Sequence, residues 1–231
     1  MPITDFLERN ARLYPGEIAL TEISPQYEPE QQLTWHEYSL IEAAEGEEYR
    51  REMTWGSFDE DANRFANLLF TRGIRRGDRV AILLMNCLEW LPIYFGILKA
   101  GCIAVPLNFR YSSDEIKYCL DLADVEVLIF GPEFITRMDP IAEDLPGVKM
   151  LFFVGKNGPA YTEDCLKLMA YASIEPPPVA LCEDDDAAIY FSSGTTGFPK
   201  AILHNHRALV HACRVEQNHP SQSREDVFLC I

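Results

Sequence analysis

Nine consecutive residues carry most of the chemistry that this sequence offers: Ser192-Ser193-Gly194-Thr195-Thr196-Gly197-Phe198-Pro199-Lys200. Two glycines let a backbone turn sharply and approach a ligand with no Cβ in the way. Four hydroxyls stand beside the backbone N–H groups, and Lys200 adds a point charge. Such a set of donors makes a nest for phosphate oxygens. A lone Gly-x-Gly would be read as an ordinary surface loop. Nine residues of this kind directly after an apolar run, Ala187 to Phe191, point to phosphate binding.

The loop is not a Walker A motif. That motif has Gly immediately before its Lys and Ser or Thr immediately after it. Here Pro199 precedes Lys200 and Ala201 follows, so no hydroxyl occupies the Walker metal-ligand position. A P-loop kinase or GTPase is excluded on these residues.

The elements that must hold this loop follow from periodicity. Residues 3–14 predict a short helix, with Phe6, Leu7 and Ala11 on one side. Ile18–Glu22 predicts a strand. Ser57-Phe-Asp-Glu60 spells a capping box for a helix that Gly73 ends. An apolar strand at 79–85, a helix at 89–100 stopped by Gly101, and a strand at 102–106 come next. Ser112-Ser-Asp-Glu115 is a second capping box, for a helix to about Ala123. A strand at 126–130, a helix near 133–144 and a strand at 149–154 complete the series. Residues 155–182, with Pro176-Pro-Pro178, predict a long loop. After the phosphate loop, 201–204 predicts a strand, and Asn205 is placed to cap a helix over 206–218.

Short apolar strands alternating with amphipathic helices imply an α/β fold with a mostly parallel sheet covered on both faces. The domain expectation is an N-terminal segment, 1–56, with an acidic excursion at about 24–52. An α/β subdomain, 57–231, ends with the phosphate loop and the helix after it. The excursion is expected to be a solvated loop or hairpin.

Charge and composition narrow the partners. The 231 residues hold 20 Lys and Arg against 36 Asp and Glu, a net charge of −16. Long-range repulsion argues against nucleic acid and anionic lipid as partners. Twelve acidic residues between Glu22 and Asp61 face only Arg50 and Arg51. The longest apolar stretch, Val80–Met85, is far short of the ~18–20 residues of a spanning helix, and the first residues lack a secretory pattern. Seven cysteines without a Cys-x-x-Cys pair are expected to be free thiols in a reducing compartment, so the protein is placed in the cytoplasm.

Tyr190-Phe-Ser-Ser-Gly-Thr-Thr-Gly-Phe-Pro-Lys200 closely resembles the phosphate loop of the adenylate-forming (AMP-binding) superfamily of acyl-CoA synthetases, luciferases and peptide-synthetase adenylation domains. Upstream, Arg76-Gly-Asp-Arg-Val-Ala-Ile-Leu-Leu84, Leu98-Lys-Ala-Gly-Cys-Ile-Ala-Val-Pro-Leu-Asn108 and Ser113-Asp-Glu-Ile116 follow the family's order and spacing. The resemblance covers most of residues 54–231. Asn108-Phe-Arg110 is more similar to the acyl-CoA synthetase, or fatty-acid–CoA ligase, branch than to the amino-acid-activating one. Ala201 departs from the family's usual Gly, and the excursion is longer than in many relatives.

The resemblance implies part of the large N-terminal domain of an acyl-CoA synthetase-like fold. It implies an AMP-forming acid–thiol ligase that activates a carboxylate with ATP to an acyl-adenylate and then forms a thioester with coenzyme A. Ser192, Ser193, Gly194, Thr195, Thr196 and Gly197 would wrap the ATP phosphates, and Lys200 would pair with them. Mg2+ would ride on those phosphates rather than in a protein cage. His206 is a further candidate beside the site, with a plain structural role as its alternative. The acid would be fatty or aromatic. Chains of the family are about twice as long. The C-terminal domain with its adenylation lysine therefore has no counterpart here, and the chain as given is expected to be inactive alone. The amino-acid-activating adenylation domain and a non-catalytic nucleotide- or pyrophosphate-binding module remain the other readings.

Overall fold

The computed structural model describes residues 1–23, 50–192, 199–218, 223 and 226–228. Helix α1 (Thr4–Leu13) leads to strand β1 (Ile18–Ile23), which pairs antiparallel with β2 (Arg50–Thr54). Residues 50–52, grouped with the acidic excursion on sequence, are thus strand. Glu22 and Arg51 stand directly opposite in this ladder, 3.3 Å apart as an ion pair, and opposite charges across a strand pair favour the register. The rest of the excursion lies outside the described residues.

Helix α2 (Trp55–Thr71) is capped by Thr54, three residues before the expected Ser57. Thr54 leaves β2 extended, and its Oγ1 accepts a hydrogen bond from the Ser57 N–H at 3.2 Å. The Ser57–Glu60 capping box is not the helix start, because the chain turns as soon as β2 ends. Met53, just before the cap, packs in one cluster with Phe58 at the fourth helical position, which is the apolar staple of such a start. Gly73 follows the helix with φ +78°, the left-handed conformation that glycine adopts without strain.

The regular part alternates as expected: β3 (Arg79–Leu83), α3 (Trp90–Lys99), β4 (Ile103–Pro106), α4 (Ser113–Leu122), β5 (Val127–Phe130). The Ser112–Glu115 capping box forms in both directions. The helix expected near 133–144 is shorter: a 3-10 turn at Pro132–Phe134 and then α5 (Ile135–Met138). Pro140 has no N–H to donate to a carbonyl four residues back, and the chain goes on in turns through Ile141 and Leu145, both buried. After β6 (Met150–Phe153), the long loop expected at 155–182 holds two elements, β7 (Glu163–Asp164) and α6 (Cys165–Tyr171). The Asp164 carboxylate caps α6 by accepting from the Lys167 N–H at 2.9 Å, and Cys165 and Met169 are buried. A helix of seven residues, all apolar but Lys167, is too short and too uniform for a helical period to stand out in the sequence. Strands β8 (Asp186–Ser192) and β9 (Lys200–Asn205) and helix α7 (His206–Asn218) complete the order.

Among the described residues, a seven-stranded sheet runs β7-β6-β5-β3-β4-β8-β9. Every neighbouring pair is parallel except β8 with β9. Val80, Ile82, Ala104, Ile129 and Ala188 face α2 and α3, with Met169 of α6 and Leu209 of α7 on the same side. Ala81, Leu83, Val105, Leu128 and Ile189 face α4 and α5 on the other side. The sheet is thus mostly parallel and flanked by helices. The stretch after α6 runs along α2. Asn63 donates to the Ile174 carbonyl, and Asn67 to those of Ser173 and Glu175, each at 2.9 Å. Polar residues of α2 thereby satisfy backbone carbonyls that a sheet or helix would otherwise pair.

Helices α2 and α3 meet at Gly96. A Cβ there would lie 2.7 Å from the Ala62 carbonyl oxygen and 2.8 Å from the Phe65 Cβ. Nearby, the buried Lys99 ammonium bonds Asp59 at 2.6 Å and Asn63 at 2.8 Å and reaches Glu8 of α1 at 3.4 Å. Gly96→Ala is expected to force the two helices apart and cost about 1–3 kcal/mol, the usual range for overpacking. At ~2–4 °C per kcal/mol for a chain of this size, thermal unfolding followed by circular dichroism checks it. A midpoint equal to that of the original chain would show that the helices do not pack this closely.

Candidate functional site

In open α/β sheets, ligands bind outside the carboxyl ends of the parallel strands. Strand β8 is parallel to β4 and ends at Ser192, at that edge. The chain returns as β9, and Ser192 stands directly opposite Lys200 in the antiparallel ladder. Directly opposed residues place their side chains on one face. The Ser192 hydroxyl and the exposed Lys200 ammonium are therefore brought together at the head of a two-stranded ribbon. The residues between them, including the candidates Ser193, Gly194, Thr195, Thr196 and Gly197, lie outside the described residues. A hydroxyl and a mobile ammonium side by side at a carboxyl edge suit the oxygens of a phosphate chain.

Ala201 sits inside β9 opposite Phe191. Among the described residues only Asp124 and Asn157 are non-glycines with positive φ. The backbone at 201 is thus extended, and its side chain is accommodated without strain.

Alternation along β8 puts Tyr190 on the same face as Ser192. The Tyr190 hydroxyl lies 2.8 Å from the hydroxyl of Tyr94 on α3. Tyr94 is buried and stacks on Trp90, with ring centroids 5.3 Å apart. His204 of β9 meets the Tyr190 ring edge-on at 5.6 Å. Burial first, and then the hydroxyl of Tyr190, pushes the Tyr94 phenol well above its ordinary range, so both hydroxyls stay protonated at neutral pH. Sequence reasoning missed this cluster. Strand alternation could have paired Tyr190 with Ser192, but no local signal brings residue 94 to residue 190.

His206 takes a different place from the ribbon's head. It is the first residue of α7, whose Asn205 cap accepts from the Ala208 N–H at 2.9 Å. It is 1% exposed, and its Nδ1 accepts the Ile3 backbone N–H at 3.4 Å. Beside it, the N-terminal ammonium pairs with Glu183 at 2.8 Å, and Arg207 pairs with Glu183 and Asp184.

The described cysteines, Cys87, Cys102, Cys119, Cys165, Cys182 and Cys213, are free thiols. Burial pushes Cys87, Cys102 and Cys119 up to about 12. Thiols held that high are not nucleophiles at neutral pH. Strand β9 is the edge of the described sheet, and its Ile202 and Leu203 are 45% and 51% exposed. No helix among the described residues is long and apolar enough to cross a membrane.

Burial holds the His206 imidazole below its ordinary 6.5, with Asp185 and Asp5 pulling it up and the N-terminal ammonium pushing it further down. Only the neutral ring can accept the Ile3 N–H. The folded chain therefore binds fewer protons here than the unfolded chain. This contribution to stability is fully present above the ordinary value and is lost as pH falls through the lowered one. Urea unfolding at several values from about pH 8 to pH 5 is expected to show that loss. His206→Asn should flatten the slope in this window. An unchanged slope in the variant would mean that His206 does not titrate as described.

The profile of the family described as AMP-binding enzyme matches residues 7–231. A crotonobetaine/carnitine–CoA ligase of Salmonella typhimurium is 32% identical over 199 residues, which is 83% of this chain and 38% of that protein. A long-chain-fatty-acid–CoA ligase of Mycobacterium tuberculosis is 33% identical over 159 residues, 68% of this chain and 30% of that protein. The crystal structure of an anthranilate CoA ligase in complex with anthranoyl-AMP superposes with a TM-score of 0.74 at 27% identity, over 90% of this chain and 35% of that one. The chain thus spans well under half the length of each of these three proteins.

Proposed function

Since the chain belongs to the AMP-binding enzyme family, we propose that it supplies the phosphate-gripping part of an AMP-forming acid–thiol ligase. Its substrates on this reading are ATP, coenzyme A and a fatty or aromatic carboxylic acid. The observation that carries the reading is the β8–β9 ribbon. It hangs a nine-residue hydroxyl- and glycine-rich segment from the carboxyl edge of the sheet, with Ser192 and Lys200 in register at its base. The CoA-ligase names of the relatives above support the thiol step.

A carboxylate resists attack because its charge repels nucleophiles. Bonding its oxygen to the α-phosphorus of ATP, with pyrophosphate leaving, turns it into an acyl-adenylate. The coenzyme A thiol then takes the acyl group and AMP departs. The demand on the protein is charge stabilisation and alignment. Lys200 would neutralise charge on the departing phosphates, and the hydroxyls and N–H groups from Ser192 through Gly197 would hold their oxygens. Magnesium would add positive charge on the same phosphates. The local cation and donors act at contact range, where the net charge of −16 matters little. On this reading residues 57–231 form the α/β subdomain behind an N-terminal segment, 1–56, and the enzyme works in the cytoplasm.

Lys200→Ala is expected to weaken binding of magnesium pyrophosphate to the 231-residue chain by roughly 10–100-fold, the equivalent of one charge-assisted hydrogen bond. Calorimetric titration reads it, and equal affinities would show that the lysine does not hold the phosphates. The 231 residues alone are also expected to give no carboxylate-dependent exchange of labelled pyrophosphate into ATP. A signal with a fatty acid or benzoate would show that they suffice for adenylation.

A further inference from the structure

The Tyr94–Tyr190 hydroxyl pair is the one direct polar tie, among the described hydrogen bonds, between α3 and the ribbon that carries Ser192 and Lys200. Its geometry is asymmetric. Tyr94 is 6% exposed and wedged by Trp90, with Phe95 edge-on at 5.9 Å, whereas Tyr190 is 37% exposed. The buried hydroxyl thus belongs to the packed helix, and its partner stands on the strand that must be held. Tyr190 precedes Ser192 by two residues, ~7 Å of strand, and leaves the same face. Across the ladder it opposes Ile202, and Ser192 opposes Lys200. One side of the ribbon is open: Lys200, Ala201, Ile202 and Leu203 are all exposed. Strand β8 is anchored by its first half, where Ala187, Ala188 and Ile189 are buried, while Tyr190 is exposed and Phe191 and Ser192 are half-buried. A ribbon packed at one end and open along its edge pivots unless something fixes its outer half, and the hydroxyl pair sits in that half.

We propose that Tyr94 and Tyr190 are positioning residues: their shared hydrogen bond locks the outer end of the β8–β9 ribbon to α3 and so sets where Ser192 and Lys200 meet a phosphate ligand. The inference rests on the phosphate-binding reading of the ribbon. It adds a residue of α3, far away in sequence, to the determinants of that site. The aromatic series Trp90, Tyr94, Tyr190 and His204 then works as a brace between helix and ribbon. His204 closes on Tyr190 from the return strand, so that β8 and β9 move as one body.

The test uses the 231-residue chain with Tyr94→Phe, Tyr190→Phe and the double variant. Phenylalanine keeps both rings and their packing and removes only the hydroxyls. Two readouts are taken: affinity for magnesium pyrophosphate, and amide hydrogen exchange at Phe191, Ser192, Ala201 and Ile202 relative to β3 and β5. Each single variant is expected to bind pyrophosphate about 3–10-fold more weakly. Exchange should quicken at least fivefold in the ribbon and stay unchanged in β3 and β5. The double variant should lose no more than either single one, because one bond is removed in all three. Wild-type affinity in both single variants, or losses that multiply in the double variant, would overturn the proposal. So would quickened exchange together with unchanged affinity, for then the bond would hold the strand without placing the ligand groups. Lys200→Ala separates this from the underlying reading. If it leaves pyrophosphate binding unchanged, the phosphate assignment has failed, and exchange alone decides the brace: faster in both variants supports it, unchanged overturns it.

Discussion

Burial of the central strands on both faces is the constraint from which the rest of this structure follows. Strands β3, β4 and β5 touch helices above and below, so their buried residues are continuously apolar rather than alternating. Val80 and Ile82 fill the side of α2 and α3, while Ala81 and Leu83 fill the side of α4. A one-residue slip of β3 would still present apolar side chains to both faces, so hydrophobicity alone leaves its register open. Helices α2 and α3 pack closely on one another on one face, with Gly96 against Ala62 and Phe65 and Lys99 bonded to Asp59 and Asn63. Once register is set, all the parallel strands end on one edge, and the place where a ligand can meet strand ends and loops is defined.

The ribbon at that edge is built differently from the sheet it extends. It is antiparallel, and its outer strand is exposed. Its first half is buried at Ala187, Ala188 and Ile189, and its outer half is tied to one helix through a phenol pair. The core is a packed platform, and Lys200 at the ribbon's head stays accessible to solvent. The buried imidazole of His206 belongs to the platform: it receives the N–H of Ile3 and ties the first helix to the last one described.

Where local signals and structure part, the reason is in each case a neighbour. Ser57 and Glu60 have the types of a capping box, but Thr54 caps α2 because β2 delivers the chain into the helix three residues earlier. The expected 133–144 helix is cut short where Pro140 withholds an N–H. Residues 163–171 fold into a strand and a helix because Cys165 and Met169 find the sheet's first face; the run is too short and too uniformly apolar to show a period of its own. Arg50–Glu52 become strand because Ile23 and Glu22 lie across from them. By contrast, the Ser112–Glu115 box and the glycine stops at 73 and 101 came out as read, since each is a contact among residues a few positions apart.

By itself the sequence determined the alternation of strands and helices, the mostly parallel sheet and the family, and it marked one run of hydroxyls and glycines ending in a lysine. These are properties of neighbours in the chain: periodicity, caps, turns and a run of hydroxyls with a lysine. Only the tertiary structure decided that Ser192 faces Lys200, that His206 is engaged with Ile3, and that Tyr94 braces Tyr190. Each of these joins residues whose meeting depends on strand order and helix packing. Strand order is a choice among folds of the whole chain, made by the burial of both sheet faces at once. A local pattern carries no record of that choice.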